Sequence, residues 1–214
     1  MKKALAAILL LLFAFIPFNM SANQQIDLSD QQKEEMRLRV QQKIEAFLLN
    51  LEFIANADRN TQDDAIKATL ALFWGNGGPY TLYDLDDNPI TQDGVTMQTL
   101  STRKNKNGKP VYHRPILMRR YLDNLRGMPY NKVEIIRVGV IHIDQIEKVG
   151  DGRYQAIGRY CQEFSGYQDG QLIYRDITSK IVKTSIDYID DGSDNGSWNV
   201  LLGDMCTQTV SETN

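Results

Sequence analysis

Two stretches of the sequence carry side chains able to move protons. In "VGVIHIDQI" (138–146), His142 alternates with apolar residues. Alternate positions of a strand share a face, so His142 would lie with Val138, Val140 and Asp144, opposite Ile141 and Ile143. A histidine walled by valines and oriented by Asp144 one pleat away could act as a general base. The same pattern also suits a rim histidine held by a backbone carbonyl. "YRDITSKIVKTSIDY" (174–188) is strand-like yet charged. Tyr174, Asp176, Thr178, Lys180 and Val182 would face one way, and Arg175, Ile177, Ser179, Ile181 and Lys183 the other. Asp176 and Lys180 lie ~13 Å apart along one strand, too far to pair directly. Either these charges are a wet outer face with cross-strand ion pairs, or Tyr160, Tyr174, Asp176 and Asp204 line a polar pocket. A carboxyl buried in such a pocket would titrate high and could serve as a base.

The other candidates are poorer in chemistry. His113 sits in the polar "VYHRP", as an exposed residue would. Trp74, Tyr80 and Tyr83 follow a helical segment and could rim a ligand pocket. Tyr160, Phe164, Tyr174 and Trp198 could line that pocket, or serve as core or as a dimer face. No Ser or Cys stands in a nucleophile elbow, and "GNGG" (75–78) lacks the strand-to-helix context of a phosphate loop. Cys161 and Cys206 are the only cysteines. Their pairing stays open, because their strands need not be neighbours. Two Cys and two distant His make a poor zinc set, so neither a metal nor a cofactor is expected.

The elements that must position these residues are legible in outline. "MKK", the apolar "ALAAILLLLFAFIPF" and "NMSA" have the layout of a secretory signal peptide over 1–22, with cleavage after Ala22. The apolar run falls short of the ~20 residues of a spanning helix. An exported protein, periplasmic or extracellular, is therefore expected, with no membrane span once the signal is cleaved. Without Lys2 and Lys3 the chain holds 22 basic against 27 acidic side chains. No basic block remains, which argues against nucleic acid and anionic lipid as partners.

Residues 23–214 suit one domain. Ser29 with Gln32 resembles a capping box, and Met36, Val40, Ile44, Phe47, Leu48, Leu51 and Ile54 recur at helical spacing, predicting a helix over about 30–57. Thr61 with Asp64 suggests a second helix start, and Ile66, Leu70 and Phe73 share its face. Residues 79–94 read as irregular or a short hairpin arm, and 95–103 as a strand. A third helix is predicted between Pro115 and Gly127. Strands follow at about 132–149, 153–167, 171–188 and 197–210, split by "GDG", "QDG" and "DDGSDNGS". Helices first and antiparallel strands after them make an α+β fold, with a strongly curved sheet around a helix.

This order of elements resembles the NTF2-like (cystatin-like) superfamily. The resemblance rests on the hairpin "FLLNLEFIANADRNTQDDAIKATLALFWG", the passage "YLDNLRGMPYNKVEII" and the final "WNVLLGDM". It spans about 30–210 and implies a cone whose open mouth is the working site. Members include isomerases, dehydratases, polyketide cyclases, transport factors and catalytically silent modules, so the resemblance alone selects no chemistry. With no complete catalytic set in view, the expected function is an exported, non-catalytic module that binds a small ligand or a protein partner. The alternatives are an isomerase, dehydratase or cyclase using His142, Asp176 or Asp204 as base, with Trp74, Tyr80, Tyr160, Tyr174 and Trp198 around the ligand, and a structural homodimer formed through the sheet.

Overall fold

The computed structural model describes residues 26–83, 88–104, 106–192 and 196–208. The signal peptide and its cleavage site lie outside them, as do residues 209 and 210 of the last expected strand. In chain order the elements are α1 (Asp30–Asn56), α2 (Arg59–Leu70), β1 (Tyr80–Tyr83), β2 (Pro89–Gln92), β3 (Thr96–Gln98), β4 (Leu100–Lys104), β5 (Pro110–Tyr112), β6 (Ile116–Leu117), α3 (Met118–Leu125), β7 (Lys132–Ile143), β8 (Glu147–Gly150), β9 (Arg153–Gln168), β10 (Gln171–Ile189) and β11 (Ser197–Gln208). A short 3-10 turn, Trp74–Gly77, follows α2.

Helix α1 starts at the expected capping box: Ser29 accepts from the Gln32 backbone, and the Gln32 side chain accepts from Ser29. All seven of its predicted apolar residues are buried. Helix α2 begins before Thr61, because Asp58 accepts from the backbone N–H groups of Asn60 and Thr61 and so caps it earlier. It ends at Leu70, and the next turns run through left-handed Gly75, Asn76 and Gly77. Pro115 does not open α3. It precedes β6, which pairs with β3 and delays the helix to Met118.

The main sheet has the order β6-β3-β11-β10-β9-β7, with β8 hydrogen-bonded to β9. Its long strands are antiparallel, but β3 runs parallel to β11, so the sheet is mixed. The expected strand over 132–149 is two strands. Gly139, with φ of 75°, sits in a bulge where the pairing of β7 with β9 shifts, and the chain breaks again between Ile143 and Glu147. The β9–β10 turn is the predicted "QDG": Asp169 and Gly170 both have positive φ, the two-residue turn that matches strand twist.

Helix α1 touches both β7 and β11, although β9 and β10 separate those strands. The sheet therefore wraps around the helix, which is the expected curved α+β arrangement. Phe47 and Phe73 meet edge to face in the core, beside buried Val182, Ile186, Leu202 and Met205. At Gly158 a Cβ would collide with Ile44 and Val182, so glycine there lets helix and sheet approach closely.

The outer edge of β7 is covered by polar side chains of α1. Asn56 donates to the Val133 carbonyl (2.7 Å) and accepts from its N–H (2.8 Å). Glu52 accepts from the Ile135 N–H, and Gln41 donates to the Ile141 carbonyl. These bonds satisfy backbone groups that a bare edge strand would offer to another chain.

Candidate functional site

Strand alternation divides the charged stretch of β10 between two environments. Arg175 and Lys183 face outward. Arg175 grips Glu163 with two bonds of 2.8 Å, and Lys183 approaches Asp204 at 3.9 Å. Tyr174, Asp176, Thr178 and Lys180 face inward and floor a cavity of about 300 Å³. The outward set is the wet, ion-paired face; of the four residues expected around a pocket, Tyr174 and Asp176 line this cavity.

The cavity is assembled from four directions. Strand β10 supplies Tyr174, Asp176, Thr178 and Lys180, and β9 supplies Gln162 and Phe164. Thr207 of β11 lies opposite Lys180, while Thr99 and Leu100 form one wall. Tyr121 of α3 and the following Met128, Pro129 and Tyr130 form the roof. Gly166 makes room for that roof, since a Cβ there would stand 2.7 Å from the Tyr130 ring. Tyr130, Phe164 and Tyr174 lie 5.9 to 6.4 Å apart between ring centres.

The electrostatics follow from burial. Lys180 is 5% exposed, and its Nζ donates to Thr207 Oγ1 at 2.7 Å. It makes no ion pair among the described residues. Burial pushes its ammonium down to about 8, against the opposing pull of Asp176 and Cys206. Burial likewise raises the Asp176 carboxyl, although a 3.0 Å bond donated by Tyr174 and the charge of Lys180 hold it back. Tyr174 is pushed up to about 12 by burial and by Asp176. Tyr121 and Tyr160 are raised as well, chiefly by burial. Two buried polar atoms have no partner among the described residues: Gln162 Oε1 and the Tyr160 hydroxyl.

Of the residues singled out from sequence, Asp176 and Tyr174 line the cavity, and Tyr160 is buried on β9 opposite Lys180. Asp204 does not join them. Gly203 and Asp204 fall in a bulge where the pairing of β11 with β10 shifts, so Asp204 leaves the face of Trp198, Val200 and Leu202. It accepts from Thr96 N and Oγ1, both at 2.9 Å.

His142 is also outside the cavity. Its side chain is 71% exposed on the outer face, with Nε2 3.4 Å from Asp144, which also takes Arg159 at 3.1 Å. Ile141 and Ile143 hold the core face instead. His113 is exposed, and its backbone N–H donates to the Thr99 carbonyl. Trp74 packs over Gly203 and against Tyr80, donating its indole N–H to Ser185 at 2.7 Å. Trp198 sits between Tyr154 and Tyr188. These three candidates fill other parts of the molecule, and Tyr83 is exposed under Arg153.

Sequence reasoning did not assign Lys180, Gln162, Thr207, Tyr121 or Tyr130 to a site. The alternation that grouped Lys180 with Asp176 was the available signal. Tyr121 was marked only by its place on the apolar face of α3, and nothing local marks Thr207 or Gln162. Cys161 and Cys206 are free. They lie on β9 and β11 with β10 between them, about 10 Å apart at normal strand spacing and beyond the reach of a disulfide. Among the described residues no cluster of His, Cys, Asp and Glu could hold a metal, and no helix is long and apolar enough to cross a membrane.

No protein-family model matches the chain, and no curated protein matches it in sequence. Solved structures that are similar in fold include these two. One is the β subunit of a protein described as an aromatic-ring-hydroxylating dioxygenase, from Novosphingobium aromaticivorans, at 15% identity and TM-score 0.37 over 82% of this chain and 93% of that one. The other is naphthalene 1,2-dioxygenase with indole in its active site, at 12% identity and TM-score 0.37 over 86% of this chain and 89% of that one. At these values the likeness carries no argument about chemistry, ligand or partner.

Proposed function

We propose that this protein is an exported, non-catalytic module that binds a small molecule in the cavity between β9, β10 and α3. One observation carries the reading: a buried ammonium that makes no ion pair among the described residues lines a ligand-sized cavity, beside Gln162, whose amide oxygen also has no partner among them. Burying such groups is unfavourable unless something completes them. About 300 Å³ is at the low end of ligand pockets, suited to a compound of one or two rings. Export rests on the N-terminal layout of basic, apolar and small residues.

Native mass spectrometry of protein purified from an exporting host tests both parts. The expected species has the mass of residues 23–214 and carries an additional small mass that disappears on denaturation. A chain that keeps residues 1–22 and stays in the cytoplasmic fraction would overturn export. A ligand-free protein that also binds nothing from a small-molecule panel would overturn the pocket reading.

A second reading is supported by the Tyr174–Asp176 contact. A carboxyl raised by burial and hydrogen-bonded to a phenol is equipped to take a proton from a bound substrate, as an isomerase or dehydratase requires. Turnover of a bound ligand, abolished by Asp176→Asn with binding retained, would establish it. A third reading, a homodimer through the sheet, draws on the outer face. Ile136 and Ile177 flank Glu163 in one row there, and Val140 is 80% exposed.

A further inference from the structure

From the geometry of the cavity floor we infer that the ligand is a small aromatic carboxylate, with its acid group on Lys180 and its ring beneath Tyr121 and Tyr130. The inference rests on the pocket reading above and names the class of ligand that fits it. Lys180 carries three donors when charged. Thr207 takes one, and no carboxylate takes the others among the described residues. Lys180 lines the cavity and is only 5% exposed, so a group that completes its ammonium would come from inside the cavity.

An anion is the natural complement. A hydrogen bond with an ionised partner is about twice as strong as one between neutral groups, and the two oxygens of a carboxylate can take two donors. Asp176 is not that partner. It lies four residues along the same strand, with the two backbones ~13 Å apart at normal rise; its charge is felt by Lys180 but forms no ion pair with it, and it already accepts from Tyr174. Thr178 lies between the two charges, and Gln162 stands opposite it on β9.

The ring follows from the walls. Tyr121, Met128, Pro129, Tyr130 and Phe164 present flat or apolar surface to a cavity too small for a large lipid. Gln162, 4% exposed, also lines the cavity, and its amide oxygen has no partner among the described residues, so a ligand hydroxyl that reached it would complete it. An amide of this kind can present either its oxygen or, turned over, its nitrogen. A hydroxybenzoate-like acid meets all three requirements, whereas an amine would bring a second cation onto Lys180.

Binding also has a pH signature. The titratable groups around Lys180 are Asp176 on its own strand, Cys206 on β11, Tyr160 on β9 and Tyr121 on α3. A bound carboxylate adds a negative charge to this set and favours the charged lysine. Affinity should therefore fall as pH rises above about 8, and binding in that range should take up protons.

The test is calorimetric titration of the purified mature protein with 4-hydroxybenzoate, benzoate, benzamide and benzylamine, repeated with Lys180→Met. The expected order is 4-hydroxybenzoate, then benzoate, with benzamide at least tenfold weaker and benzylamine not binding. Lys180→Met should lose at least tenfold for the acids, leave benzamide unchanged and abolish the loss above pH 8. Thermal unfolding of the variant controls for folding. Benzamide or benzylamine binding as well as benzoate, or Lys180→Met binding the acids unchanged, would overturn the acid class while the pocket reading stands. If none of the four binds but native mass spectrometry shows a different ligand, the inference fails and the pocket reading survives. If neither experiment finds a ligand, both fail.

Discussion

Lys180 is the residue at which stability and function pull apart. Its ammonium titrates near 8 in the folded chain and near 10.5 when unfolded. Below about pH 8 both states hold the proton, and the folded state bears the full desolvation penalty. Between about 8 and 10.5 the unfolded chain holds a proton that the folded chain has released, so stability rises with pH across that window. A shift of this size corresponds to about 3 kcal/mol. Lys180→Met should therefore be more stable than the natural protein at pH 7, by up to that amount, and the difference should shrink toward pH 10. Urea unfolding of both proteins at several pH values checks this, and Tyr121 and Tyr160, present in both, cancel in the comparison. A Lys180→Met variant that is less stable at pH 7 would show that the Thr207 bond outweighs the burial penalty. Asp176→Asn removes the nearest negative charge, so the Lys180 ammonium should titrate lower still, measurable by NMR of the lysine side chains.

Among the elements, the two bulges and the covered edge of β7 organise the sheet. Gly139 lies at φ of 75° with nothing within 4 Å of where a Cβ would stand. Gly139→Ala should thus lose about 1 kcal/mol through backbone strain alone, read as a shift of the urea midpoint without a change in its slope. Asn56 is a different kind of support. Asn56→Ala removes both bonds to Val133 and leaves a half-covered strand edge, for a loss of about 1–3 kcal/mol. Amide exchange at Val133 should quicken in that variant more than exchange in β10. The bulge at Gly203–Asp204 matters most for the site. It turns Asp204 out toward Lys183 and brings Met205 and Thr207 inward, so that Thr207 can meet Lys180.

For the molecule as a whole, the two faces of the sheet have separate roles. The inner face holds the core at one end and the cavity at the other. The outer face carries Arg175–Glu163 and His142–Asp144, with Ile136, Val138, Val140 and Ile177 exposed between them. If that face assembles two copies, sedimentation should show a concentration-dependent dimer that Val140→Lys and Ile136→Lys disperse without changing ligand binding. The α1 side chains on β7 leave edge-to-edge pairing of sheets unfavourable, so a dimer would form face to face. A protein that stays monomeric across the micromolar range would rule out this assembly.

Much of this architecture was legible in the chain because local patterns report local structure. The seven apolar residues of α1, the Ser29–Gln32 cap, the Asp169–Gly170 turn and the inward set of β10 follow from periods of 3.6 and 2 and from turn chemistry. Alternation also grouped Tyr174, Asp176 and Lys180 on one face. It fails where a bulge inserts a residue, which is why Asp204 is not with Tyr174 and Asp176 as expected and why 132–149 is two strands and not one. Alternation also left open which face of β7 was dry. His142 between valines suited either a pocket or a rim, and with Ile141 and Ile143 buried it stands on the exposed face with Val138 and Val140. Only the tertiary structure decided that Lys180 is buried, that Thr207 is its partner and that Tyr121 and Tyr130 close the cavity. Those contacts join residues dozens of positions apart, through the curvature of a sheet around a helix, and no short stretch of sequence encodes that distance.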